Sequence, residues 1–289
     1  MNSMVKGNMW DMRLSDPVGE RGLRNRSMTV QERGQHMAAR GITMVIDKGL
    51  GRSAFTDFLE TASPYVDCIK LGFGTSVLYS DELLLYKTAL ARHYGIDMMT
   101  GGTLLEAAVQ LDVVPSYFDT LERLGFNAVE VSDGTIELSR QRRNELIEEG
   151  LRRGLRIFTE YGKKVSGSQI ELQELVRTAE LDMEAGAEMV IIEARESGID
   201  VGLFDQQGCC RHAMLEQINA RLPQHRLLWE APLKSQQVDL ITALGSNVHL
   251  GNIQPSDAIA LEALRRGLRS DTFPKGKAPA AHEAIMYMI

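Results

Sequence analysis

Four short apolar runs of this chain each end in a glutamate: AVE closes at Glu130, FTE at Glu160, IIE at Glu193 and LWE at Glu230. A carboxylate at the end of a buried run needs a partner, because taking an ion out of water is costly. Two arrangements meet that need. The four could be ion pairs that close the top of a structure, or a cluster that binds a hard divalent cation such as Mg2+ through oxygen ligands. Periodicity alone leaves open which of the four point inward. Cations fall at comparable places: Lys48, Lys70, Lys163, Lys164, Arg195 and Lys234. Together they suit an anionic substrate. Burial also lowers a lysine pKa readily, so one of them could exchange a proton near neutral pH. The stretch RIFTEYGKK (156–164) combines both kinds of charge, with Glu160, a turn at Gly162, and then Lys163 and Lys164. Glu130 joins these two lysines as a catalytic candidate. The glycine-rich stretches GFGTS (72–76) and GGT (101–103) free backbone N–H groups close to helix starts, where phosphate or sulfonate oxygens are well received.

Other chemistries lack their residues. The six histidines show no HExxH or similar spacing, so a zinc site is not expected. His249 alone falls in an expected strand and reads as a hydrogen-bonded core residue. No GxSxG elbow, Walker A loop or GxGxxG fingerprint is present. The three cysteines form no disulfide framework, and the neighbours Cys209 and Cys210 read as ordinary packing. A reduced, cytoplasmic setting follows.

The elements that would carry these residues repeat one unit: a short apolar strand, a turn and an amphipathic helix. Strands are expected at 43–48, 68–73, 96–100, 128–132, 156–160, 189–193, 226–230 and 247–251. They are apolar on both faces, as parallel strands covered by helices are. Helices are expected at 83–93, 117–124, 170–184 (with Ser168 and Glu171 as a capping box), 236–244 and 257–268. Eight such units in series predict an α/β fold of the (β/α)8 TIM-barrel type, with a doubly wound sheet as the runner-up. The barrel would span 41–273, preceded by an N-terminal extension (1–40) that is partly disordered or caps the barrel floor, and followed by a peripheral tail (274–289). In a barrel the C-terminal strand ends build the active site, and the charged residues above fall there.

Bulk properties agree. The chain has 289 residues, 44% hydrophobic and 25% charged, which suits one large soluble barrel. A net charge of −7 argues against a general nucleic-acid surface. No run reaches the length of a membrane span, and the N-terminus lacks the apolar core of a signal peptide.

Nine motifs in order then resemble the phosphosulfolactate synthase family over about 41–273: VIDKGLG (45–51), KLGFGTS (70–76), GGTL (101–104), VEVSDG (129–134), TEYGKK (159–164), VIIEARESG (190–198), GLFD (202–205), EAPLKSQQV (230–238) and LEALRRGLRSDTF (261–273). That resemblance implies a (β/α)8 barrel that adds sulfite to phosphoenolpyruvate in a Mg2+-dependent reaction, giving (R)-2-phospho-3-sulfolactate. Archaeal members serve coenzyme M synthesis, bacterial members are associated with sulfolactate production, and a plant branch is linked to heat-stress memory. On this reading Glu160, Glu193 and Glu230 are the Mg2+ ligands, and Lys163 or Lys164 protonates C2. Lys48, Lys70 and Arg195 hold sulfite or the substrate carboxylate, while Lys234, Ser235, Gly251 and Asn252 cradle the phosphate. Homo-oligomeric assembly is the family expectation. The long N-terminal extension, the Ala-rich tail and His249, where a smaller polar residue is expected, depart from the family pattern. Two alternatives stand beside this reading: a catalytically silent family member acting as a binding or stress-related protein, and an enolate-chemistry lyase using another phosphorylated acid.

Overall fold

The computed structural model describes Trp10 and residues 12–19, 40–163 and 167–274. Most of the expected extension and tail, together with Lys164, lie outside these residues. Eight strands alternate with helices: β1 (Thr43–Asp47), β2 (Cys68–Leu71), β3 (Asp97–Thr100), β4 (Ala128–Val131), β5 (Arg156–Tyr161), β6 (Met189–Ile192), β7 (Leu227–Glu230) and β8 (His249–Ile253). Between them run α1 (Arg52–Ala62), α2 (Asp81–His93), α3 (Gly102–Gln110), α4 (Val114–Leu124), α5 (Arg140–Arg152), α6 (Leu172–Glu184), α7 (His212–Asn219), α8 (Lys234–Leu244) and α9 (Ala258–Arg265).

All pairings are parallel, in the order β3-β2-β1-β8-β7-β6-β5-β4. The seam between β3 and β4 is carried largely by one residue. Asn127 N donates to Met98 O at 3.3 Å, its Oδ1 accepts from Met98 N at 2.8 Å, and its Nδ2 donates to Asp97 Oδ1 at 2.7 Å. An amide side chain thus stands in for ladder bonds and closes the (β/α)8 barrel.

The helices form for legible reasons. In α2, Ser80 Oγ accepts from Leu83 N at 3.3 Å, acidic residues open the helix and basic residues end it, which suits the helix dipole. Helix α4 buries Val114, Tyr117, Phe118, Leu121 and Leu124, one stripe at helical spacing, and ends at Gly125 with φ 79°. One start differs from expectation. Gln169 pairs with Gly202 in an isolated parallel bridge, which keeps the chain extended up to Glu171. Helix α6 therefore begins at Leu172, and Ser168 Oγ donates to Lys163 O at 2.8 Å instead of capping it. Helices α1, α3, α5 and α7 join the five that the sequence pattern marks.

Strand alternation splits the apolar side chains into two cores. Val45, Ile69, Val129, Ile157, Val190 and Trp229 face the helices. Met44, Cys68, Met99, Ala128, Phe158, Ile191 and Leu228 fill the barrel interior. Two residues further along their strands stand Ile46, Lys70, Glu130, Glu160, Glu193 and Glu230, all lining one cavity. The apolar layer is the floor of a charged one.

Candidate active site

The cavity, about 360 Å³, opens at the C-terminal ends of the strands. Lys70, from β2, stands at its base. Its Nζ is 2.8 Å from Glu230 Oε1, 3.0 Å from Glu130 Oε2 and 3.8 Å from Glu160 Oε2. All four side chains are buried, as is Glu193. Burial alone would push the Lys70 ammonium toward neutrality, but Glu130, Glu230, Glu160 and Glu193 outweigh it and hold its pKa well above the ordinary lysine value. Among these carboxylates Lys70 is held in its charged, ammonium form.

The carboxylates are held in turn by backbone. Gly102 N, at the start of α3, donates to Glu130 Oε1 at 2.6 Å. A Cβ on Gly102 would come within 2.8 Å of that oxygen, so the close approach requires glycine. Ala194 N donates to Glu230 Oε2 at 3.0 Å, and Arg195 N donates to Glu193 Oε1. The four glutamates do not share one rung. Glu130 lies opposite Phe158, two residues before Glu160, and Glu160 lies opposite Ile191, two residues before Glu193. The barrel's stagger thus lifts the carboxylate two residues per strand from β4 to β6.

Five non-glycine residues have left-handed φ among the described residues, and three of them line this cavity: Phe73 (57°), Arg195 (59°) and Asn252 (54°). Such conformations cost about 1–3 kcal/mol each and persist only where the surroundings enforce them, which is common at functional sites. Asn252 is buried and donates from Nδ2 to Arg195 O at 3.4 Å; among the described residues its Oδ1 has no hydrogen-bond partner.

The structure brings together Lys70, Glu130, Glu160, Glu193, Glu230, Arg195 and Asn252, all expected from sequence. Lys48 stands at the rim, where its Nζ meets Glu196 Oε1 at 2.6 Å; Glu196 itself lines the cavity. Lys163 is exposed, with Nζ 2.8 Å from Asp133 O and 3.3 Å from Ile136 O. Lys234 pairs with Asp271 at 2.7 Å, and neither it nor the exposed Ser235 lines the cavity. Gly251 sits below the cavity, where a Cβ would meet Met44 Cε at 2.6 Å. His249 lies deeper than the cavity lining. Its Nδ1 accepts from Ile42 N at 2.8 Å, and burial drives its pKa down to about 4, so it is a neutral core histidine as expected.

One contributor, Glu106, escaped sequence reading, and another, Glu196, falls at an expected strand end with no role assigned to it. Glu106, buried on α3, accepts from Ser132 Oγ, from Gly134 N at 3.1 Å and from Thr135 N at 2.9 Å, shaping the loop after β4. Glu196 offers the rim carboxylate. No spacing signals Glu106, which lies outside the expected strands and helices; Glu196 falls within VIIEARESG, just past the end of an expected strand.

A closed (β/α)8 barrel with a charged cavity at its C-terminal strand ends defines an enzyme of the barrel class. The chain belongs to the phosphosulfolactate synthase family. The sequence profile of (2R)-phospho-3-sulfolactate synthase (ComA) matches residues 31–271. The phosphosulfolactate synthase of Methanothermobacter thermautotrophicus is 42% identical over 237 residues, covering 81% of this chain and 92% of that protein. The phosphosulfolactate synthase of Bacillus subtilis is 37% identical over 236 residues, covering 81% and 92%. In fold alone, the chain is similar to the YdjI aldolase of Escherichia coli K12, with TM-score 0.54 and 10% identity over 83% of this chain and 91% of that one. Among the described residues, no helix is long and apolar enough to cross a membrane.

Proposed function

We propose that this chain joins sulfite to phosphoenolpyruvate, forming (R)-2-phospho-3-sulfolactate. One observation supports the reading beyond family membership: a buried, charged Lys70 among four glutamates at the base of the cavity. In the reaction the sulfite lone pair forms a C–S bond to C3. The C2–C3 π electrons move toward C2 and the carboxylate, and a proton then arrives at C2. The transient is an enolate-like dianion, which needs positive charge already in place. Lys70, at the base of the cavity, and Arg195, in its lining, supply it from this chain.

The donor chemistry fits Mg2+. Four buried carboxylates face one buried ammonium, so the cavity base carries excess negative charge. Among the described residues, no three acidic, histidine or cysteine side chains form a ready cation cage. Mg2+ commonly takes one or two carboxylates and completes its shell with water and substrate oxygens, so this is no obstacle. Glu160, Glu193 and Glu230 are the residues that would hold it. When bound, the ion supplies Lewis acidity toward the substrate carboxylate and phosphate.

Proton delivery is given to Lys163 or Lys164 by likeness to the family. Lys163 would have to leave the Asp133 and Ile136 carbonyls to reach C2. The same reading carries a cytoplasmic homo-oligomer. The purified protein with phosphoenolpyruvate, sulfite and Mg2+ should consume phosphoenolpyruvate only when sulfite is present; consumption that ignores sulfite, or none, refutes the reading. Glu160→Gln and Glu193→Gln should each shift the Mg2+ dependence of that rate to higher concentration.

A further inference from the structure

Helix α5 buries Arg143, Leu146, Ile147 and Gly150, positions spaced as one core-facing stripe. Arginine at the first of them is unexpected, because that site suits an apolar residue. Its side chain is only 3% exposed, and each guanidinium nitrogen has a partner. Nε and Nη2 fork onto Asp182 of α6, at 2.9 Å to Oδ1 and 2.7 Å to Oδ2. The remaining contacts face the active-site side. Nη2 donates to the backbone carbonyl of Glu160 at 3.0 Å, and Nη1 donates to Asp133 Oδ1 at 3.2 Å.

Those two contacts fall on two distinct parts of the site. Glu160 is the carboxylate at the end of β5, 3.8 Å from Lys70. Asp133 belongs to the loop after β4, whose carbonyls receive Lys163. Building Arg143 into the helix layer only to link α5 to α6 would require no bond to either. Such a link already exists beside it, where Arg140 Nη1 donates to Asp182 Oδ1 at 2.6 Å.

We infer that Arg143 is a positioning residue that sets the end of β5 and the loop after β4 relative to each other, and so places Glu160 and the Lys163 turn together. The inference rests on the proposed synthase reading for its kinetic consequence but not for its structural one. Asp182 supplies the counter-charge that allows the guanidinium to stay buried. A lysine at 143 can keep the ion pair with Asp182, but an ammonium cannot present the planar fork that reaches three groups at once.

The test compares Arg143→Lys with Arg140→Ala, which removes the neighbouring α5–α6 bridge and touches neither Glu160 nor Asp133. Arg143→Lys should lower kcat about 10- to 100-fold, as misplacement of a catalytic group does, with KM for phosphoenolpyruvate within about threefold. Arg140→Ala should leave kcat within about twofold. Hydrogen exchange supplies a readout independent of turnover: amides of 132–136 and 160–163 should exchange faster in Arg143→Lys and not in Arg140→Ala. Wild-type kcat in Arg143→Lys, an equal kcat loss in both variants, or unchanged exchange at those two segments would overturn the inference. A wild-type protein inert toward sulfite refutes the synthase reading instead, and the exchange comparison then decides the role of Arg143 alone.

Discussion

Among the described residues two lysines are buried, Lys70 and Lys87, and their surroundings differ in one decisive way. Lys70, inside the barrel, faces several carboxylates beside an open cavity. Lys87, on α2 outside the barrel, is 0% exposed and meets one carboxylate, Asp47 Oδ2 at 2.7 Å. Its ammonium also lies over the rings of Tyr79, at 4.3 Å, and Phe55, at 5.1 Å. The other Asp47 oxygen accepts from Gly49 N and Leu50 N at 2.9 and 2.8 Å, so the pair fixes the loop after β1. Around Lys87 charge is balanced and space is filled. Around Lys70 carboxylates are in excess and space is left. A buried ion becomes a site when charge and volume are both left open to a ligand, and a strut when both are closed.

The sharpest way to break the contrast is Lys70→Met. It should cut kcat/KM on the order of 10²- to 10³-fold, the scale of losing a placed charge in an active site. Steady-state kinetics with phosphoenolpyruvate and sulfite checks it, and near-normal turnover would place Lys70 with Lys87 among the struts. Lys87→Met should do the opposite. Denaturant unfolding should show a loss of about 3–5 kcal/mol from stranding Asp47, with the activity of the folded protein nearly kept. The double variant Lys87→Met with Asp47→Asn should regain part of that stability, because no charge is then stranded.

His249 offers a pH test of the barrel interior. Its folded pKa, about 4, lies below the ordinary 6.5, so the unfolded chain binds the extra proton first. Its contribution is therefore intact above about pH 6.5, declines as pH falls toward 4 and is spent below that, a total of about 3 kcal/mol. His249→Gln should flatten that part of the stability–pH curve. The smallest effect belongs to the rim. Glu196→Gln releases Lys48 from a partly exposed pair, worth at most about 1 kcal/mol, so KM for the anionic substrate should fall by only about two- to fivefold.

The contrast between the two lysines also measures what was legible. Lys70 sits in KLGF, within an expected strand, and its relation to AVE, FTE, IIE and LWE follows from strand-end convergence in a barrel. Lys87 follows LLLY on a helix and reads as a solvated charge. Only the tertiary fold, in which α2 packs against α1, α4 and β3, brings Asp47 to it. Asp47 precedes Lys48 in VIDKGLG, yet strand alternation turns it outward, since its neighbour Ile46 faces the cavity.

The linear chain by itself determined the eight-unit repeat, the barrel class, the family and the four strand-end glutamates, because these depend on local periodicity and on ordered motifs. The tertiary structure decided which charges meet. Whether a carboxylate finds Lys70, a helix N–H or solvent depends on barrel stagger and on helices distant in sequence. Lys70 and Glu230 are 160 residues apart and touch at 2.8 Å. Electrostatic energy depends on such separations in space and on burial, and neither is encoded in spacing along the chain.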